Sequence, residues 1–385
     1  MGNIITYVQT EMRPMTQKPF SAVDSLVLTE LAYVNFGVAV PGFGFFKKPV
    51  RLGALYRAEL FDAMLGPAPV SKEKDIYGVD NRRALLFAAA ASPRFRDLRL
   101  RFFSDDFDAV REQQFSAVTF TLPDGSAFIA FRGTDMSLVG WKEDFNMAYI
   151  SPVPSQLAAA IYTEAVGKAL PGRLRLGGHS KGGNLAVYAA MTCRPALQSR
   201  ILEVYNHDGP GFKTSVLDTP GYRAIEKRVR KVLPESSIVG MLLNDSRKFT
   251  VVQSSRLGLM QHDAFSWEVE NGDFVCTDHL TDGAVYMHKT MDQWLETLPD
   301  EKRRLLVEVL FQIIERTDIQ SLTDLTDAWG KSALALLDSY RNLDTDTRQM
   351  VSQVIRSFLK MSLQNLRRVR ANGKPEKRLP SPSRP

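Results

Sequence analysis

Apolar positions recur at helical spacing early in the chain, alternate in its middle third, and return to helical spacing towards its end. In "SAVDSLVLTELAYVNF" (21–36), Leu26, Leu28, Leu31 and Ala32 fall near helical spacing, with Ser21 or Asp24 available as a cap. "RRALLFAAAASPRFRDL" (82–98) predicts a second helix, stopped near Ser92-Pro93 because proline disfavours helical geometry in the residue before it. "FSAVTFTLPDGSAFIAFRG" (115–133) then reads as strand, Pro-Asp-Gly turn and strand. Helix (154–170), strand (173–178), helix (182–193), strand into a Gly-rich loop (200–211), a helix with a short strand (222–233), strand (248–255) and helix (284–298) follow in turn. Such alternation predicts an α/β fold, a doubly wound and mainly parallel sheet.

From Asp300 the pattern is purely helical. "DEKRRLLVEVLFQIIERT" sets Leu306, Leu310, Ile313 and Ile314 on one face, and two further helical stretches follow it. The expected layout is therefore a loose leader at 1–20, an α/β domain at 21–299, a helical extension at 300–371 packed on the body or on itself, and a disordered tail at 372–385. The tail changes the meaning of the charge. The chain of 385 residues carries a formal +6, yet residues 365–385 hold seven Lys or Arg against the single acid Glu376. The rest is balanced, which argues against nucleic acid as a partner and leaves the tail a weak contact with anionic membrane. No signal peptide or stretch of about 20 apolar residues is evident. Cys193 and Cys276 show neither disulfide-scaffold nor metal spacing, so the expectation is a cytoplasmic protein with two reduced thiols and no metal. Composition says nothing about oligomeric state.

The chemistry enters at "LRLGGHSKGGNLAVYAA" (174–190). Gly178-His179-Ser180-Lys181-Gly182 fits G-x-S-x-G between a strand and a helix. In that pattern the strand delivers the serine into a sharp turn, and small residues two positions either side prevent clashes with neighbouring elements. The following helix aims its first amides at the site, where they favour developing negative charge. This segment resembles the nucleophile elbow of α/β hydrolases, especially class 3 lipases. "FIAFRGTDMSLVGWKEDF" (128–145) is similar to the "FRGT…W..D" segment of the same lipases, in the expected order. Together with "VDSLVLTELAYVNF" and "HDGPGF", the pattern resembles a bacterial branch of the superfamily, the Mbeg-like proteins. The resemblance covers roughly 115–290. It implies an oxyanion hole made of the amides of Thr134 and Lys181, with the Thr134 hydroxyl as a possible further donor. It also implies structural roles for Trp141 and Asp144, and a movable lid at 135–143.

A serine hydroxyl needs a base. His179 lies inside the elbow and is expected to point away from the site; His288 lies mid-helix. His262, in the loop of "SSRLGLMQHDAFSW" between the last strand and the final helix, stands where this fold carries the base, with His279 and His207 as alternatives. The acid is either Asp208, in a loop resembling the "DPAGP" segment of pancreatic-type lipases, or Glu235. Class 3 lipases place an Asp where this chain has Ser236 and Ser237, a departure from the family pattern. The expectation is a serine hydrolase cleaving small-molecule or lipid esters, with Ser180, Asp208 and His262 as triad and no cofactor. The alternative is a catalytically silent hydrolase fold acting as an interaction protein.

Overall fold

A computed structural model describes residues 2–44, 48–66, 79–135, 138–243 and 248–315, with 345, 348–349, 352–353, 356–357 and 360–361. Its helices are α1 (Ile4–Thr10), α2 (Ala22–Leu31), α3 (Ala58–Leu65), α4 (Val79–Ala91), α5 (Leu138–Asn146), α6 (Pro154–Ala169), α7 (Lys181–Thr192), α8 (Pro195–Gln198), α9 (Thr214–Leu217), α10 (Pro220–Ile225), α11 (Asp282–Thr297) and α12 (Asp300–Glu315). Its strands are β1 (Val50–Arg51), β2 (Arg99–Asp108), β3 (Gln113–Thr121), β4 (Ala127–Phe131), β5 (Leu174–His179), β6 (Ile201–His207), β7 (Val229–Pro234), β8 (Phe249–Val252), β9 (Val269–Glu270), β10 (Asp273–Phe274) and β11 (Cys276–Thr277).

Among the described residues one sheet runs β1-β2-β3-β4-β5-β6-β7-β8-β11. The strands from β4 to β8 are parallel and the outer pairs antiparallel. Helices cover both faces of this α/β-hydrolase architecture, and β4 shows how the sequence arranges it. Side chains alternate along a strand, so Phe128 and Ala130 join one core while Ile129 and Phe131 join the other. The second core is closed by the crossover helices α6 and α7. The first is closed by the N-terminal helices α1, α2 and α4, because strands in sequential order leave that face to the start of the chain.

The leader is therefore not loose. Ile4, Tyr7 and Val8 of α1 are buried, one helical face of a segment too short to announce itself. The Tyr7 hydroxyl donates to Asp24 (2.8 Å), and Arg94 donates to both carboxylate oxygens of Asp24 and to the carbonyls of Arg13 and Lys18. Arg94 and Asp24 are both fully buried, so losing either would strand a charge at a cost of about 3–5 kcal/mol. At the far end, Asn3 donates to the Phe265 carbonyl (3.0 Å) and Gly2 pairs with Val269. Ser21 caps α2 through a capping box with Asp24.

Helix α12 packs on the body. The rings of Phe311 and Phe145 meet edge to face at 5.8 Å, and Arg303 donates to the Ala148 carbonyl. The side chains of Leu310, Ile313 and Ile314, most of the expected extension and the tail at 372–385 lie outside the described residues. Among the described residues no helix is long and apolar enough to cross a membrane.

Candidate active site

The sheet register brings the two motifs together. Phe131 pairs with Gly178 on the neighbouring parallel strand, so Arg132, Gly133 and Thr134 leave β4 beside the turn that follows β5. At that turn Ser180 takes φ 57° and ψ −133°, a conformation that costs a non-glycine residue about 1–3 kcal/mol and is kept only when its surroundings enforce it. The enforcement is steric. A Cβ on Gly178 would sit 2.0 Å from the Gly182 carbonyl carbon, and a Cβ on Gly182 would sit 2.2 Å from the Phe131 carbonyl oxygen. Only glycine at both positions lets β5 turn into α7 against β4.

His262 closes the constellation. Its Nε2 lies 3.0 Å from Ser180 Oγ, and its Nδ1 lies 2.6 Å from Asp208 Oδ2. Asp208 is wholly buried and itself holds positive φ (50°) at the carboxyl end of β6. Its other oxygen accepts hydrogen bonds from the Ser237 hydroxyl (2.5 Å) and the Gly240 amide (3.2 Å). Ser237, one of the two serines where the resemblance implied an acid, thus braces the carboxylate that faces His262. Below it, Lys231 donates to the carbonyls of Gly209 and Gly240, tying the Asp208 loop to the Ser237 loop. Burial pushes that lysine down to about 7, against a weaker upward pull from Asp208.

The other candidates fall elsewhere. Glu235 faces Gln261 (3.5 Å), and no hydrogen bond or ion pair joins it to His262 among the described residues. His207 is buried beneath α2 against Ser25 (2.9 Å), and burial and the neighbouring His179 push it down to about 3. His279 follows β11, the terminal strand of the sheet, four places along it from β5. His288, on α11, meets the Met241 carbonyl and Asp292.

One expectation is overturned outright: His179 does not point away from the site. Its ring lies 4.8 Å from that of His262, and its Nε2 donates to the His262 carbonyl (2.8 Å).

On the oxyanion side, neither the Thr134 nor the Lys181 amide is paired among the described residues. The Thr134 hydroxyl, expected as a possible further donor, is engaged with Asp144 Oδ2. Burial pushes Asp144 up to about 6, against the opposing pull of Lys181 and this hydrogen bond. The Lys181 ammonium is fully buried against Glu143 (3.0 Å), which also accepts from the amides of Gln114 and Ser155. That pair pins α5 to the elbow. Residues 136 and 137 of the expected lid lie outside the described residues.

A cavity of about 590 Å³ opens onto Ser180 and His262. Met291, Trp294, Leu295, Leu298, Leu306 and Val307, from α11, α12 and the turn between them, form its apolar wall, while Arg82, Arg132 and Glu30 lie at its polar side. Among the described residues no three His, Cys, Asp or Glu side chains are grouped to hold a metal ion.

Comparison with known proteins adds three findings. The Mbeg1-like family matches residues 89–312, more than half of the chain. No curated protein matches. Solved structures that resemble parts of the chain include two lipases. One is a Rhizomucor miehei lipase in a propeptide complex, at 17% identity over 44% of this chain and 59% of that one, with a TM-score of 0.32. The other is a fungal lipase bound to an inhibitor, at 14% identity over 65% of this chain and 77% of that one, with a TM-score of 0.36. The chain thus spans less than two thirds of the first of these.

Proposed function

The chain belongs to the Mbeg1-like family, and from that premise and the geometry of the site we propose that it is a serine hydrolase acting on carboxylic esters. One observation carries the reading: an unbroken hydrogen-bonded line from Asp208 through His262 to Ser180, ending on a strained, glycine-flanked serine. In this reading Asp208 fixes the tautomer with the proton on Nδ1, leaving Nε2 to accept the serine proton. Ser180 Oγ attacks the ester carbonyl, and the Thr134 and Lys181 amides hold the oxyanion at the N-terminus of α7. His262 then passes its proton to the leaving alcohol. Water, deprotonated by the same ring, releases the acid from the acyl-enzyme. No step requires a metal or organic cofactor.

The apolar wall suits an aliphatic acyl group, which directs the proposal to lipid-type esters such as acylglycerols or lysophospholipids. Two free thiols, Cys193 and Cys276, agree with a cytoplasmic setting. The interaction-only reading drew on a misplaced acid and on the extra C-terminal helices; Asp208, at 2.6 Å from His262, weighs against the first of these. A fluorophosphonate probe tests the proposal. Wild type should be labelled and should hydrolyse nitrophenyl esters; Ser180→Ala, folded to the same melting temperature, should do neither. Undiminished hydrolysis by the variant would remove Ser180 from the nucleophile's place.

A further inference from the structure

The proposed reaction uses His262 and leaves a second histidine, 4.8 Å from it, with no role. His179 is nearly buried, and its two ring nitrogens face two acceptors. Nε2 meets the His262 carbonyl at 2.8 Å, and Nδ1 lies 3.1 Å from Glu30 Oε1. Among the described residues neither Nδ1 nor that oxygen has a hydrogen-bond partner, so the 3.1 Å contact is an ion-pair distance without hydrogen-bond alignment. A carbonyl and a carboxylate oxygen can only accept, and a neutral imidazole carries one N–H. A neutral ring would therefore turn a lone pair towards one of them inside a buried site. An imidazolium fits both: it donates from Nε2 to the carbonyl and sets its positive Nδ1 side against the carboxylate at ion-pair distance.

We infer that Glu30 and His179 form a buried ion pair that positions His262: the carboxylate keeps the His179 ring charged, and the charged ring holds the His262 carbonyl and with it the loop presenting the proposed base. His179 is then a positioning residue, acting through the backbone of His262, and the inference rests on the serine-hydrolase reading above. The surrounding groups fit. Glu30, on α2, also has the Arg82 guanidinium of α4 within 3.4 Å, and that guanidinium lies over the Tyr33 ring. On the other side of His179 stand Asp208 and His207 of the β6 end, His262 itself, and the edge of Trp267. Burial works against both charges, yet the pair overcomes it. Glu30 is held below the usual carboxylate range and His179 above the usual imidazole range. The ion pair exists between the lowered value of Glu30 and the raised value of His179, and is lost as pH falls through the first or rises through the second.

Two readouts test this. In protein with ¹⁵N-labelled histidine, the ring nitrogens of His179, assigned by their loss in His179→Gln, should both be protonated in wild type at pH 7.5. Glu30→Gln should return the ring to its neutral form. A neutral His179 ring in wild type at pH 7.5 overturns the inference, and that measurement needs no variant at Glu30. In nitrophenyl-ester hydrolysis, Glu30→Gln should move the alkaline limb of kcat to lower pH by at least about one unit with KM changed less than about twofold. That is more than a tenfold loss of turnover on the limb. His179→Gln, whose amide can still donate to the His262 carbonyl, should retain measurable turnover without that limb. Superimposable pH profiles for wild type and Glu30→Gln overturn the positioning role. Failure of the underlying reading looks different: wild type would then show neither hydrolysis nor fluorophosphonate labelling, and the ring protonation state would still decide for or against the buried cation.

Discussion

Replacing Asp208 by Asn exchanges one oxygen for an NH₂ group and keeps the side chain's shape. The outcome depends on which way the amide faces. If the NH₂ is turned towards Ser237 and Gly240, it meets the Gly240 amide donor, which cannot reverse. Two buried donors would then lack acceptors, at about 1–3 kcal/mol each. If the NH₂ faces His262, the ring only has to change tautomer, and Asn Oδ1 still accepts from Ser237 and Gly240. The second orientation wins. It leaves Nδ1 unprotonated and puts a proton on Nε2, 3.0 Å from the serine oxygen it should deprotonate. The imidazolium formed during reaction also loses its counter-charge. The comparable change in a serine protease triad lowers turnover about 10⁴-fold, or about 5 kcal/mol. Asp208→Asn should therefore keep its melting temperature within a few degrees and lose about four orders of magnitude in kcat on a nitrophenyl ester. Glu235→Gln, whose carboxylate touches Gln261 rather than His262, should stay within about threefold of wild type. A loss below tenfold in Asp208→Asn, or a larger loss in Glu235→Gln, would refute the argument.

Gly182→Ala forces a Cβ to 2.2 Å from a β4 carbonyl oxygen that is fixed in the sheet, so it should destabilise the fold by about 3 kcal/mol or more; an unchanged melting temperature would show that the elbow is not tight. Lys231 gives a pH prediction. Its folded value of about 7 lies below the ordinary 10.5, so between those values the unfolded chain binds the extra proton and stability rises with pH. From pH 7.5 to 9.5 this group should add about 2–3 kcal/mol to unfolding free energy, and the increment should vanish in Lys231→Met; equal slopes in the two proteins would contradict it.

The parts of this molecule legible from sequence are those whose constraint is local. Gly178, Ser180 and Gly182 must be adjacent for the turn to exist, and the sequence displays that directly. The helices α4, α6 and α7 and the hairpin of β3 and β4 are each long enough for their period to stand out. His262 was readable through its place in chain order. The unread parts depend on contacts between distant segments. Strand β2 carries Arg99, Arg101, Asp105, Asp106 and Asp108 because it lies towards the sheet's edge, and so many charges mask its alternation. Ser237 looked like a gap in the family pattern until Asp208 arrived beside it from another strand. His179 was misread because its partners, Glu30 and the His262 carbonyl, come from opposite ends of the domain.

The seating of α1 has a consequence for how the protein is made. Asn3 binds the Phe265 carbonyl across 262 positions of chain, three residues beyond His262. At about 5–20 residues per second, roughly 13–50 s of synthesis separate the two. Through that interval the apolar face of Ile4, Tyr7 and Val8 lacks part of its seat, while the elbow between β5 and α7 has already left the ribosome. The loop bearing His262 emerges after Ser180 and Asp208, and it is the loop to which α1 binds. The nascent chain thus carries Ser180 long before it carries the proposed base, and the residues of α1 settle together with the loop that bears it.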